Sequence, residues 1–595
     1  MAVNKIEPKK TVNQKTNKPH VALTKRVKSN IFKNLKTIIA STLGISAIGA
    51  SSGLVLGLTA AYTKTTSYLS YTPWQKDQSM ALAYRTFGDP NPEKNDHTSS
   101  YWSNPLDNQG HKLAEPVNAS TYQIYNQVKM DNTTLNAKDP NQLFKYCGLI
   151  IDGSKHEVKD YSFNQSQYNG LINWVHQKRL GWSVGEKSKI NIATKVENPI
   201  GFDKPADITG INYAKAIRPT GDTTLKFEES YDTMFNDPDH VKTAILSGYL
   251  HHDSALNGTA KYPSKGFMIV DSIVPKLNAA SIQARSDQGA FLAGMSACQF
   301  LQDNYDAVYS KINGGKLSVA TFGGIAIHSV TAFMGGFELG VWTYNHLVLP
   351  KLPNYSSWSE ELKEKRTVGL IDMGQQDSFF TNSFSIGDAN TITREMLAKG
   401  ADVILPVAGP QTIDVIKEVQ SEHSAAVVIG VDVAQEDTPD GQTLSTSPLW
   451  KGKERKIMLC SVVRETELLI SMMLQASAKG IRGYKVNPTA TTFAQKFQEI
   501  SWDGNPASGS FIGTYGYVTI GDISNYGVNV SPAGQENFKK ALNYILSSSE
   551  QASTYEDALN KLNSKQLVNS QNPESTTGAD KTLVEMINEN PYFYF

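Results

Sequence analysis

At 595 residues the chain exceeds what a single hydrophobic core organises, so more than one lobe is expected. Its 40% hydrophobic and 19% charged residues describe a folded, polar-surfaced protein. The formal net charge of zero hides a polarity: residues 1–36 carry ten Lys or Arg against Glu7 alone, a surplus of +9, which leaves −9 on the rest. A basic arm on an acidic body excludes nucleic acid as a partner of the body, because phosphate neutralisation needs a basic face.

Residues 1–36 read as a basic cytoplasmic arm. Residues 37–62 follow with no charge across 26 positions, long enough to span a bilayer. The one-sided basic flank orients such a span with the N-terminus inside, which gives a single-pass protein of the cell membrane with its main body extracellular. A cleaved signal peptide is the rival reading, with small-residue sites at Ala47-Ile48-Gly49 and Thr59-Ala60-Ala61. Residues 63–143, rich in Asn, Asp, Ser, Tyr and Pro, read as an irregular extracellular extension.

From 144 to about 546 short Val/Ile/Leu runs alternate with helical stretches. Strands are expected at 147–152, 242–247, 266–271, 317–322, 367–372, 401–407, 426–432 and 456–463. Helices are expected at 164–177, 288–303, 328–341, 391–399, 411–420 and 465–479. Such alternation over 400 residues means a doubly wound α/β protein, and its length requires two lobes. Residues 178–235 read as an insertion, and 547–595 as a polar, loosely attached C-terminal tail with one helical stretch at 553–563.

The first strand pattern, Cys147-Gly148-Leu149-Ile150-Ile151-Asp152, opens through a polar loop into a helix beginning near Phe163. That places Asp152 and Phe163 at the carboxyl edge of a parallel sheet, where open α/β folds bind small ligands. Asp152 accepts hydrogen bonds and Phe163 offers a flat apolar face; the plainer alternative is a loop-capping Asp and a core Phe. Other motifs fail on spacing. Gly181-Trp182-Ser183-Val184-Gly185-Glu186-Lys187-Ser188 has one residue too few between its glycines for a phosphate loop. His251-His252-Asp253 has no companions at metal-ligand spacing and reads as solvated or capping. The three cysteines, Cys147, Cys298 and Cys460, sit in apolar patterns as buried thiols do, and no nucleophile elbow or zinc motif is present. Nothing in the sequence calls for a metal, a cofactor or a catalytic step.

Eight strings occur in the order seen in the basic membrane protein family, the purine nucleoside receptors of ABC transporters, and the chain resembles that family over about 144–480. They are Ile151-Asp152, Ser162-Phe163-Asn164-Gln165, the segment 286–294, Phe322-Gly323-Gly324, the segment 332–341, Gly400-Ala401-Asp402-Val403-Ile404, Ala408-Gly409 and Ile429-Gly430-Val431-Asp432. The resemblance implies two α/β lobes of the type I periplasmic-binding-protein kind, joined by a hinge, with a central cleft that closes on a nucleoside and presents it to a permease. It further implies Phe163 and Phe333 as the aromatics enclosing the base, with Asn164 in the same motif as Phe163. Asp152 would reach the nucleoside, Asp432 would take ribose hydroxyls, and Gly409 would be a backbone contact. Arg464 stands where Lys is usual, and Asp287 is a further, weaker match. The chain departs from the family in lacking a lipobox Cys, in two extra residues between Asp152 and Phe163, in the 178–235 segment, and in Pro410 after Gly409. A cell-surface adhesion or structural protein with a vestigial cleft is the rival function, and a nucleoside-cleaving enzyme is disfavoured.

Overall fold

The structure is a computed structural model that describes residues 132–135, 140–180, 216–236, 241–272, 274, 278–374, 376–452, 454–479, 483–486, 497–500, 517–520 and 528–588. The strands in chain order are β1 (Cys147–Ile150), β2 (Ala216–Ile217), β3 (Thr243–Leu246), β4 (Gly266–Val270), β5 (Ala279–Ala284), β6 (Ser318–Gly323), β7 (Gly369–Leu370), β8 (Val403–Val407), β9 (Val427–Asp432), β10 (Met458–Arg464), β11 (Gly483–Val486), β12 (Phe497–Ile500), β13 (Tyr517–Ile520), β14 (Val528–Val530), β15 (Gln566–Val568) and β16 (Lys581–Thr582). The helices that matter below are α1 (Phe163–Leu180), α2 (Thr224–Asn236), α3 (His252–Lys261), α4 (Ser286–Asp303), α5 (His328–Thr343), α6 (Asn390–Ala398), α7 (Thr412–Ser421), α8 (Thr466–Lys479), α9 (Pro532–Ile545) and α10 (Tyr555–Ser564).

Two six-stranded sheets result, ordered β13-β5-β4-β3-β1-β2 and β14-β10-β9-β8-β6-β7. Pairing is parallel throughout except for β14, which runs antiparallel to β10. The central strands are buried at every position, as continuous apolar runs covered by helices on both faces must be. Alternation along β1 shows the layering: Leu149 packs with Leu171 and Trp174 of α1 and Ile470 of α8, whereas Ile150 packs with Phe227 and Tyr231 of α2. The second lobe has one larger core, in which α4 and α5 lie backbone to backbone. A Cβ at Gly336 would stand 2.1 Å from the Asp287 carbonyl oxygen, and one at Gly340 would stand 2.3 Å from that of Phe291. The glycine-rich strings of 286–294 and 332–341 are therefore helix-packing devices.

The chain changes lobes after β5, after β10, and between β13 and β14. In each lobe the first strand lies between the second and third, so the point where strand order reverses falls at β1/β3 and at β6/β8.

Three expectations need correction. The 178–235 segment supplies β2 and most of α2, whose Phe227, Tyr231, Met234 and Phe235 are buried, so it contributes to the first lobe's sheet and core. A two-residue strand has no period to read, and the Thr- and Asp-rich lead-in conceals the helix. The C-terminal residues 547–588 are docked, with Ala558, Leu559, Leu562, Val568, Leu583, Met586 and Ile587 buried in the second lobe's core. Sparse apolar residues at helical spacing suffice for that in a polar composition. His251 is buried rather than solvated, hydrogen-bonded to the Tyr231 hydroxyl at 2.9 Å and the Ile151 carbonyl at 3.0 Å. Burial pushes its pKa down to about 4. The three cysteines are buried, and no metal-binding group of side chains occurs among the described residues. No helix among them is long and apolar enough to cross a membrane; the 37–62 segment, most of the 63–143 extension and the string 181–188 lie outside them.

Candidate ligand cleft

A cavity of about 410 Å³ opens between the carboxyl edges of the two sheets. Strand ends supply much of its wall: Asp152 after β1, Gly248 after β3, Asp271 after β4, Gly409 after β8, Asp432 closing β9 and Arg464 closing β10. Four of these chain reversals have left-handed backbone, at Gly248 (φ 89°), Asp271 (58°), Gly409 (55°) and Asp432 (70°). Left-handed backbone at a non-glycine residue is a local cost that the surrounding fold must hold in place, and two Asp residues bear it here.

The first lobe builds its side of the cleft from the loop between β1 and α1. Asp160 caps α1, accepting backbone N–H groups of Ser162, Asn164 and Gln165 at 2.9, 2.8 and 3.1 Å. Burial dominates its titration and, helped by the charge of Asp152, outweighs those bonds, so the carboxyl is pushed up to about 7. Asp152 accepts the Asn164 side-chain amide at 2.7 Å and pairs with His156 at 2.8 Å. Burial alone would lower the His156 pKa, but the hydrogen bond and charge of Asp152 raise it above the usual value. Phe163 opens α1, and a Cβ on Gly248 would stand 3.0 Å from its ring.

The second lobe contributes Phe333 from α5, Gly409 and Pro410, and the ion pair at the ends of β9 and β10. Arg464 is the centre of the site. It donates through Nη1 to both oxygens of Asp271 at 2.8 Å, across the cleft, and through Nη2 to Oδ1 of Asp432 in its own lobe. Burial would lower its pKa, yet the two carboxylates reverse this and fix it as a cation; burial raises the Asp271 carboxyl against the pull of that cation. The guanidinium carbon lies 5.3 Å from the Phe163 ring centre and 5.4 Å from that of Phe333, within cation–π range of rings from both lobes. Ser162 donates to Oδ2 of Asp432 at 2.7 Å, a second bond between lobes, and Gln435 reaches the Tyr161 carbonyl at 3.3 Å.

Of the residues expected from the sequence, Asp152, Phe163, Asn164, Phe333, Gly409, Asp432 and Arg464 all line this one cavity. Asp287 does not: it is fully buried under α5, held by Nε and Nη2 of Arg285 at 2.9 and 2.8 Å. Sequence reasoning missed His156, Asp160, Gly248 and Asp271. Asp271 had a readable signal, since it ends a buried strand pattern as Asp152 does. His156 and Asp160 lie in a loop without period, and only the folded loop turns them inward.

Residues 145–368 match the family model described as Bmp, ABC transporter substrate-binding protein PnrA-like. A lipoprotein of Mycoplasma genitalium is 24% identical over 65% of this chain and 68% of its own length. Its homologue in Mycoplasma pneumoniae is 27% identical over 65% and 61%. The ABC transporter nucleoside-binding protein BmpA of Lactococcus lactis is 21% identical over 54% of this chain and 72% of its own. Among solved structures, a solute-binding protein of an ABC transporter system from Aeropyrum pernix is 15% identical with a TM-score of 0.40, covering 70% of this chain and 84% of that one. Over residues 145–368 the chain is thus similar to the PnrA-like ABC transporter substrate-binding proteins, the family that the Bmp model describes.

Proposed function

We propose that this protein is a membrane-anchored extracellular receptor that captures a nucleoside in the cleft and delivers it to an ABC transporter. One observation carries the reading: phenylalanines from opposite lobes, Phe163 and Phe333, share a cavity with strand-end carboxylates from opposite lobes, Asp152 and Asp432. A nucleobase needs apolar faces and a sugar needs acceptors, and the cavity offers both within one volume. Asn164 and Gly409 complete its polar wall, the glycine by letting the sugar approach backbone. Capture needs only hinge closure, with no covalent step. Membrane attachment is supported by the uncharged 37–62 segment and by the lipoprotein names of the Mycoplasma relatives.

The test is calorimetric titration of the full chain in detergent with purine and pyrimidine nucleosides, free bases, pentoses and amino acids. Heat with nucleosides alone is expected. Silence with all of them, from folded protein, would favour the surface-interaction protein with a vestigial cleft.

A further inference from the structure

Asp432 has its hydrogen bonds without any ligand hydroxyl. Its Oδ2 accepts Ser162 Oγ at 2.7 Å, and its Oδ1 accepts Arg464. Ser162 is 0% exposed and Asp432 is 5% exposed, so water does not compensate either group. The two residues come from different lobes, and Ser162 lies beside Gly409, where a Cβ would meet its Oγ at 3.4 Å. Asp152 in the first lobe differs, with both Asn164 and His156 on its Oδ1.

A buried carboxylate that waits for a sugar hydroxyl rejects a sugar lacking it, because the acceptor is then left unpaired in a dry site. That penalty disappears where the protein supplies a donor of its own. Each carboxylate oxygen accepts more than one hydrogen bond, so a sugar hydroxyl can still join Ser162 on Asp432. Resting on the nucleoside reading, we propose that Ser162 is a specificity-determining residue: its hydroxyl keeps Asp432 satisfied and makes the cleft tolerant of sugars missing a hydroxyl.

The experiment titrates the full chain with adenosine, guanosine and inosine, and with their 2′- and 3′-deoxy counterparts. The wild type is expected to hold ribo- and deoxynucleosides within about five-fold of each other, the share of one net hydrogen bond. In Ser162→Ala the unpaired oxygen should widen that ratio by about ten-fold or more, and Ser162→Thr, which keeps the hydroxyl, should restore it. A wild type that already discriminates by more than about fifty-fold overturns the proposal without any variant, since that is the penalty of an acceptor left bare. An unchanged ratio in folded Ser162→Ala overturns it equally. Silence with every nucleoside removes the nucleoside reading itself, a failure distinguishable from an altered ratio.

Discussion

The two lobes present the same strand order to the cleft but complete their polar groups differently. In the first, Asp152 and Asp160 find their partners within one loop and the start of α1, so that side of the site is finished before the lobes meet. In the second, Asp432 takes one of its two donors from the first lobe, and Arg464 spends half of its fork on Asp271 there. The first wall is preformed within its own lobe, whereas the second is a wall plus a clasp. Affinity and closure should therefore separate by lobe.

The largest effect is expected from Arg464→Met, which leaves two buried carboxylates facing one another without a cation. Removing one partner of a buried ion network costs about 3–5 kcal/mol, so the denaturant midpoint should fall sharply. Small-angle scattering should show a larger radius of gyration; an unchanged radius would mean that the clasp does not hold the lobes together. Phe163→Ala and Phe333→Ala come next, each expected to weaken nucleoside binding by about 1–3 kcal/mol in a titration while the radius stays constant. Gly248→Ala combines a positive φ with a Cβ pressed onto the Phe163 ring. A loss of about 1–3 kcal/mol in stability, together with weaker binding, is its expected result in paired melting and titration experiments.

A further effect is one of pH. Asp160 in the folded protein titrates at about 7 against an ordinary 3.8, so the native state holds the proton longer than the unfolded chain. Stability from this group is fully present below 3.8 and is lost as pH rises through about 7. Asp160→Asn keeps an acceptor for the α1 cap without the charge. Melting curves from pH 4 to 8 should show wild type losing ground to this variant as pH rises; parallel profiles would contradict the buried-carboxyl assignment. His156, also raised, works in the same direction and is a separate contribution.

Much of the fold was legible because buried parallel strands leave unbroken apolar runs, and β1, β3, β4, β6, β8, β9 and β10 all announce themselves that way. The short edge strand β2, and β5 with its small residues Ala279, Ala280 and Ser281, give too little pattern to be read, whereas β7 lies within the run expected at 367–372. Seven of the residues lining the cavity were legible through motif order, Asp152 also through its place at a strand end. Asp287 was misread because proximity to a shared motif says nothing about which face of a helix a residue takes.

The sequence by itself determined the alternation of strand and helix, and with it which residues stand at carboxyl edges, because period and apolar run length are local properties of the chain. Only the tertiary structure decided that Arg464 would clasp Asp271 of the opposite lobe, 193 positions away, and that Ser162 would reach Asp432, 270 positions away. Such partners are set by how two lobes close, and no local pattern encodes a contact whose geometry depends on both sheets at once.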